Sequence, residues 1–302
     1  MRTRHHLGHQ LPGGLEGDDL VVITVDHQGR EGEFPDVFTE VGAGEGAHAI
    51  QRSLQRGQHG DVEGLREHAG ADRIGLAPIS MSFRTRIKIC GLTREEDVRA
   101  TVAAGADALG LVFYPKSPRY VTPLRAGELA RAVPPFVSIV GLFVNPTLEE
   151  VQQVLAEAPL TVLQFHGDET PEQCAAIAGA VVRPFIRAAR IGSSTQPADL
   201  LEYEQAYRSA SPLFTGLLLD TLVEEYGGSG KVFDWSLIPK ELAPRAVLSG
   251  GLSVHNVTEA VAGVRPYAVD ISSGVEAAKG IKDAARIEAF IRAVRLADAT
   301  PA

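Results

Sequence analysis

Eight apolar runs recur along the chain, at 86–90, 107–113, 136–143, 161–165, 182–187, 213–219, 246–249 and 267–271, with amphipathic segments of helical period between them. Strict alternation of strand and helix restricts the fold more than any other feature. Successive strands joined through helices must run parallel, and a parallel sheet needs helices over its outer surface. Runs such as Ala108-Leu109-Gly110-Leu111-Val112-Phe113 and Val137-Ser138-Ile139-Val140-Gly141-Leu142-Phe143 are almost continuously apolar, as strands covered by helices are. Eight such units over residues 84–298 predict a (β/α)8 TIM barrel, class α/β, occupying 81–302. A doubly wound sheet is the alternative, but no glycine-rich dinucleotide turn follows the first strand. Helix starts are readable too. Thr93 is expected to cap the first helix with Glu96 at the third position, and Asn145-Pro146-Thr147 precedes a helix from Leu148.

Residues 1–80 break this pattern. They contain no lysine, scatter His5, His6, His9, His27, His48, His59 and His68 without a metal-ligand spacing, and show no sustained period. Leu20–Val25 is expected to form one strand and 47–67 a helix, without a second core, so a poorly structured N-terminal extension is expected. Met81 is the only methionine after Met1 and stands just before the first convincing strand, which suggests that natural translation starts there. Peptides from 1–80 in the native protein would overturn that expectation. A formal charge of −9 argues against general affinity for nucleic acid or anionic membranes. No apolar run reaches the length of a membrane span, and the two cysteines do not make a disulfide framework, so a cytoplasmic protein acting on a small molecule is expected.

In such barrels the reacting side chains stand at the strand ends. In Arg86-Ile87-Lys88-Ile89-Cys90-Gly91 the charged and apolar positions alternate, so Lys88 and Cys90 share a side and Cys90 reaches the C-terminal mouth. Asp220 closes the sixth run, three steps from the first around an eight-strand ring. A thiol and a carboxyl facing one substrate can serve as base and acid, because their ordinary pKa values, about 8.5 and about 3.9, are tuned separately. The plain alternative is a small buried Cys90 and a capping Asp220. Ser249-Gly250-Gly251 after the seventh run and Ser272-Ser273-Gly274 after the eighth place small residues and main-chain N–H groups where barrels hold a phosphate.

Lys88-Ile89-Cys90-Gly91, Phe113-Tyr114-Pro115-Lys116-Ser117-Pro118-Arg119-Tyr120, Gln164-Phe165-His166-Gly167, Leu218-Leu219-Asp220, Gly227-Gly228-Ser229-Gly230, Leu248-Ser249-Gly250-Gly251 and Val269-Asp270-Ile271-Ser272-Ser273-Gly274-Val275-Glu276 stand in this order. The combination closely resembles the phosphoribosylanthranilate isomerases across 84–298, and residues 1–80 match nothing in them. The resemblance implies an Amadori rearrangement in tryptophan biosynthesis, on a phosphosugar, with no metal or organic cofactor. It implies Asp220 as general acid and Cys90 as base, Arg119 as partner of the anthranilate carboxylate, and Gln164, His166 and Asp270 at the substrate. The phosphate falls to Gly250, Gly251, Ser272, Ser273 and Gly274.

Inside a barrel a charge needs a partner, so Lys88 and Asp270 on adjacent strands are expected to pair. The glycine-rich loop 224–231 is expected to act as a lid, Cys174 to pack on an outer helix, and Phe233 and Trp235 to anchor the sixth helix. A monomer or a homodimer is expected. Three other readings stay open: a Schiff-base lyase through Lys88, a histidine-pathway isomerase, and a phosphate-binding barrel without catalysis.

Overall fold

The computed structural model describes residues 21–25, 37–41, 84–221 and 232–299. The chain divides into two compact units, Met1–Ala77 and Pro78–Ala302. In the first, Val21–Val25 and Val37–Val41 pair antiparallel, with Val21 opposite Val41. The strand expected over Leu20–Val25 is therefore present from Val21, while the helix expected over 47–67 and the lid at 224–231 lie outside the described residues.

The second unit is a closed parallel barrel. Its strands are β1 (Arg86–Cys90), β2 (Ala108–Val112), β3 (Ser138–Phe143), β4 (Val162–Phe165), β5 (Phe185–Ile191), β6 (Phe214–Thr221), β7 (Val247–Leu248) and β8 (Ala268–Ile271). They neighbour one another in sequence order, and β8 closes on β1 with Asp270 in register with Lys88. Around them run α1 (Glu95–Ala103), α2 (Pro123–Ala130), α3 (Leu148–Glu157), α4 (Pro171–Val181), α5 (Pro197–Ala210), α6 (Val257–Val264) and α7 (Ala284–Ala299). Among the described residues no helix is long and apolar enough to cross a membrane.

Local chemistry explains most boundaries. Thr147 with Glu150 and Thr170 with Gln173 form reciprocal capping boxes at α3 and α4, and Pro123, Pro171 and Pro197 occupy first-turn positions where a missing N–H costs nothing. Three expectations need correction. Thr93 does not cap α1: its hydroxyl donates to the Gly280 carbonyl at 2.6 Å, Arg94 is the extended cap residue, and Glu95, Glu96 and Asp97 complement the helix dipole instead. The fifth strand starts at Phe185, not 182, because Val182 ends α4 in a left-handed conformation and Pro184 follows. Where a sixth helix was expected, the described residues between β6 and β7 form two 3-10 turns, Trp235–Leu237 and Ala243–Arg245. Pro239 and Pro244 interrupt that segment, and a helix cannot be carried through them.

Odd-numbered residues of the early strands, Ile87, Ile89, Leu109, Leu111, Leu163 and Phe165, have no exposed surface and join the layer shared with the helices. Their even-numbered neighbours point into the barrel. The two-residue period of the strand thereby sends Lys88 and Cys90, Gln164 and His166 to one interior, with the second of each pair nearer the mouth.

Candidate active site

One cavity at the C-terminal mouth is lined by Cys90 of β1, Arg119 of the loop after β2, Gln164 of β4 and His166 just after it, Asp220 of β6, and Asp270 of β8. Ser249, Gly250, Gly251, Ser272 and Ser273 also line it. Of the residues expected to act on the substrate or hold its phosphate, Gly274 alone does not line the cavity. It sits in a 3-10 turn where a side chain would meet the Leu252 carbonyl at 2.3 Å, so its lack of a Cβ permits close packing there.

Cys90 is buried, with 5% of its surface exposed. Burial pushes its thiol above the ordinary range and Asp270 adds to this, while Lys88 and then Lys282 pull the other way. Lys88 itself is caught between two effects. Burial draws its ammonium down, but Asp270, with its Oδ1 2.8 Å from Lys88 Nζ, and Cys90 together outweigh that and leave the lysine raised and charged. The expected Lys88–Asp270 pair is thus present, both side chains more than nine-tenths buried. Gly110 faces Cys90 in register on β2, and a Cβ there would lie 2.6 Å from the sulfur. The thiol occupies space that only glycine leaves open.

Across the mouth, Asp220 accepts from the Thr221 main-chain N–H at 2.8 Å, and His166 Nε2 stands 3.2 Å from its Oδ2. Gln164 Nε2 lies 3.0 Å from His166 Nδ1. With the amide donating to Nδ1, His166 carries its proton on Nε2 and offers it to Asp220. Gln164 and His166 therefore orient the carboxyl from behind. They rest in turn on Arg187 of β5, a buried guanidinium that donates to the Phe165 and Gly167 carbonyls at 3.0 and 2.9 Å and pairs with Glu169 at 3.1 Å. Gly250 approaches from β7 with φ +77°, and a side chain there would reach Asp220 Oδ1 at 2.8 Å.

Arg119 is a more committed residue than its loop position suggests. Its Nε and Nη2 donate to Glu276 at 2.7 and 2.8 Å, a buried two-point ion pair. Among the described residues Nη1 makes no hydrogen bond, which leaves that edge of the guanidinium for a ligand anion. Burial opposes the charge on Arg119, and Glu276 restores and raises it. Ser272 is likewise engaged: its hydroxyl donates to the Cys90 carbonyl at 3.0 Å, so a phosphate at this loop would meet main-chain N–H groups rather than that hydroxyl.

Sequence reasoning overlooked Gly110, Arg187, Glu276 and Lys282 as parts of this arrangement. Arg187 was visible as a charge within a largely apolar strand, though Arg190 shares that strand. Glu276 closed a motif but carried no role, and Lys282 had no local signal.

Comparison with known proteins agrees with the geometry. Residues 87–293 match the family model described as N-(5′-phosphoribosyl)anthranilate (PRA) isomerase. The enzyme of that name from Herminiimonas arsenicoxydans is 66% identical over 220 residues, covering 73% of this chain and 97% of its own length. That from Ralstonia nicotianae is 59% identical over 225 residues, covering 72% and 95%. Among solved structures, phosphoribosyl anthranilate isomerase from Thermotoga maritima is 44% identical with a TM-score of 0.62, covering 70% of this chain and 98% of its own. A second crystal structure of such an isomerase, 41% identical with a TM-score of 0.59 and covering 70% and 98%, holds reduced 1-(o-carboxyphenylamino)-1-deoxyribulose 5-phosphate. The family match leaves the N-terminal residues aside, and over its barrel this chain belongs to the N-(5′-phosphoribosyl)anthranilate isomerase family.

Proposed function

We propose that the barrel performs the isomerisation for which its family is named, in tryptophan biosynthesis, with Asp220 as general acid and Cys90 as base. N-(5-phosphoribosyl)anthranilate becomes 1-(2-carboxyphenylamino)-1-deoxyribulose 5-phosphate. The observation that carries the reading is the placement of a thiol and a histidine-supported carboxyl in one cavity, with the two small-residue loops of β7 and β8 beside them.

Asp220 gives a proton to the furanose ring oxygen as the bond from that oxygen to C1′ breaks. The nitrogen lone pair forms C1′=N, an iminium ion. Its positive charge acidifies the C2′–H and favours the Cys90 thiolate, which removes that proton. The electron pair left at C2′ forms the C1′=C2′ bond of an enolamine. Ketonisation then moves the 2′-hydroxyl proton to C1′. Asp220 ends one proton short and Cys90 one proton richer, and solvent restores both. Arg119, through Nη1, meets the anthranilate carboxylate, and the main chain around Gly250, Gly251, Ser272 and Ser273 holds the phosphate. A Schiff-base role for Lys88 fits poorly, because such a lysine must lose its proton and Asp270 holds this one charged.

The described residues of a single chain bring the acid and the base together, so a monomer or a homodimer would serve. A relative from Thermotoga maritima is described as dimeric. Light scattering of the purified protein decides between the two. Both cysteines are free, in keeping with a cytoplasmic enzyme. We also take the barrel, from residue 81, to be the catalytic domain.

The test is the loss of anthranilate-adduct fluorescence when the full chain and residues 81–302 meet freshly generated substrate. Equal turnover by both chains is expected. Cys90→Ser and Asp220→Asn should each lose on the order of 10²- to 10⁴-fold in kcat. A folded parent without turnover would refute the assignment.

A further inference from the structure

Behind the mouth, the short hairpin after β8 joins Glu276–Ala278 to Ile281–Lys282 and sets Glu276 opposite Lys282. The Lys282 side chain has no exposed surface. Its ammonium makes three hydrogen bonds, to Glu276 Oε1 at 2.9 Å, to the Ser272 carbonyl at 3.0 Å and to Ser272 Oγ at 3.3 Å. Ser272 Oγ passes the connection on to the Cys90 carbonyl. Glu276 also accepts from Nε and Nη2 of Arg119 and from the Gly280 N–H at 3.3 Å. The Lys282 main chain is clamped independently, its N–H on Asp97 Oδ2 at 3.1 Å and its carbonyl 3.3 Å from Arg94 Nη2.

The charges around this cluster can be balanced. On α1, Arg94 pairs with Asp97 and Glu96. Beyond the hairpin, Arg286 stands 3.7 Å from Asp283 and donates to the Glu276 carbonyl. On β1 and β8, Lys88 and Asp270 neutralise each other. Arg119 and Lys282 share the one carboxylate of Glu276, and the second carboxylate beside Arg94 offsets the cation this leaves over. The buried Lys282 ammonium therefore lies two hydrogen bonds from the Cys90 main chain, under the Ser272 loop of the cavity wall.

We propose that Lys282 is a positioning residue of this site: held by Glu276, it seats Ser272 against Cys90 and supplies a buried positive charge that favours the Cys90 thiolate. This deepens the acid–base reading above and rests on Cys90 being the base. Burial costs a lysine ammonium free energy that a leucine or methionine at the same place would not incur. The position nonetheless holds a lysine with all three protons committed. Lys282 is also among the groups that act against the upward push of burial on the Cys90 thiol.

The test uses the full chain. Alkylation of Cys90 by iodoacetamide, followed by peptide mass spectrometry from pH 6 to 10, reads the thiolate without substrate. Cys174 has no exposed surface and lies on a different peptide, so its alkylation is read separately. Lys282→Met should move the alkylation midpoint up by about one pH unit and lower kcat about tenfold at pH 7. Where that chain does not fold, Lys282→Gln, which keeps a donor for Glu276 and Ser272 but no charge, carries the same expectation. Ser272→Ala should lower kcat with the alkylation profile unmoved, since it breaks the link to Cys90 and keeps the charge. A folded Lys282→Met or Lys282→Gln chain whose alkylation profile and kcat match the parent overturns the proposal. Cys90→Ser at the parent rate would instead overturn the base assignment beneath it, and Cys90→Ser inactive beside an unmoved Lys282 variant overturns this proposal alone.

Discussion

Gly110→Ala tests the site at the point where the barrel wall and the chemistry meet. The added Cβ would lie 2.6 Å from Cys90 Sγ, 3.1 Å from its Cα and 3.2 Å from its Cβ. Favourable carbon contacts begin near 3.5 Å, so the sulfur must retreat by about 1 Å and the strand by a few tenths of that. The cheaper response is rotation about the Cα–Cβ bond of Cys90, which takes the sulfur out of the place the proposed base must hold. Misplacing a reacting group by about 1 Å costs on the order of 10²-fold in rate. The remaining squeeze on the main chain, a small case of overpacking, should cost about 1–2 kcal/mol and lower the melting midpoint by about 3–6 °C. Activity should thus fall far more than stability. A cycle with Cys90→Ala isolates the cause: without the sulfur, Gly110→Ala should cost less in stability than it does in the parent. Fluorescence turnover and thermal denaturation of the four chains give both numbers. Gly110→Ala with the parent kcat would refute the argument that the thiol needs this gap.

The buried ion pairs give two further predictions. Lys88→Met leaves Asp270 unpaired in the barrel and should cost about 3–5 kcal/mol in urea denaturation, and Lys88→Met with Asp270→Leu should recover much of it; a single variant as stable as the parent would contradict this. Glu204 is held below the ordinary carboxylate range, first by its hydrogen bond from Arg245, with burial opposing and Arg208 assisting. The folded chain therefore binds the proton less readily than the unfolded chain, and the contribution of Glu204 is full above about pH 4.3 and lost as pH falls through its lower folded value. The Glu204→Gln midpoint should lie below the parent at pH 6 and converge with it near pH 3. Parallel curves would show that the carboxylate does not titrate in this way.

Much of the barrel was legible because its signals are local. A five-residue apolar run, a threonine three residues before a glutamate or glutamine, and a proline in a first turn act within a few residues of themselves, so β1, β3, α3 and α4 fall close to where the sequence puts them. The errors arose where distant partners decided. Thr93 has the chemistry of a cap but gives its proton to Gly280, 187 residues away. Residues 232–246 hold apolar positions at plausible spacing, yet prolines and neighbouring elements make short turns there.

Alternation along the strands determined which side chains enter the barrel, and the order of the strands determined that Cys90 and Asp220 share its mouth. Both are properties of backbone geometry, whose period of two is the same in every strand. Tertiary structure alone decided what surrounds them. That Arg119 spends two donors on Glu276, that Ser272 turns its hydroxyl to Cys90 and that Lys282 lies buried beneath both depends on contacts between groups up to 182 residues apart. Charge and burial at such a place are set by what the folded chain brings alongside, and no local pattern encodes that.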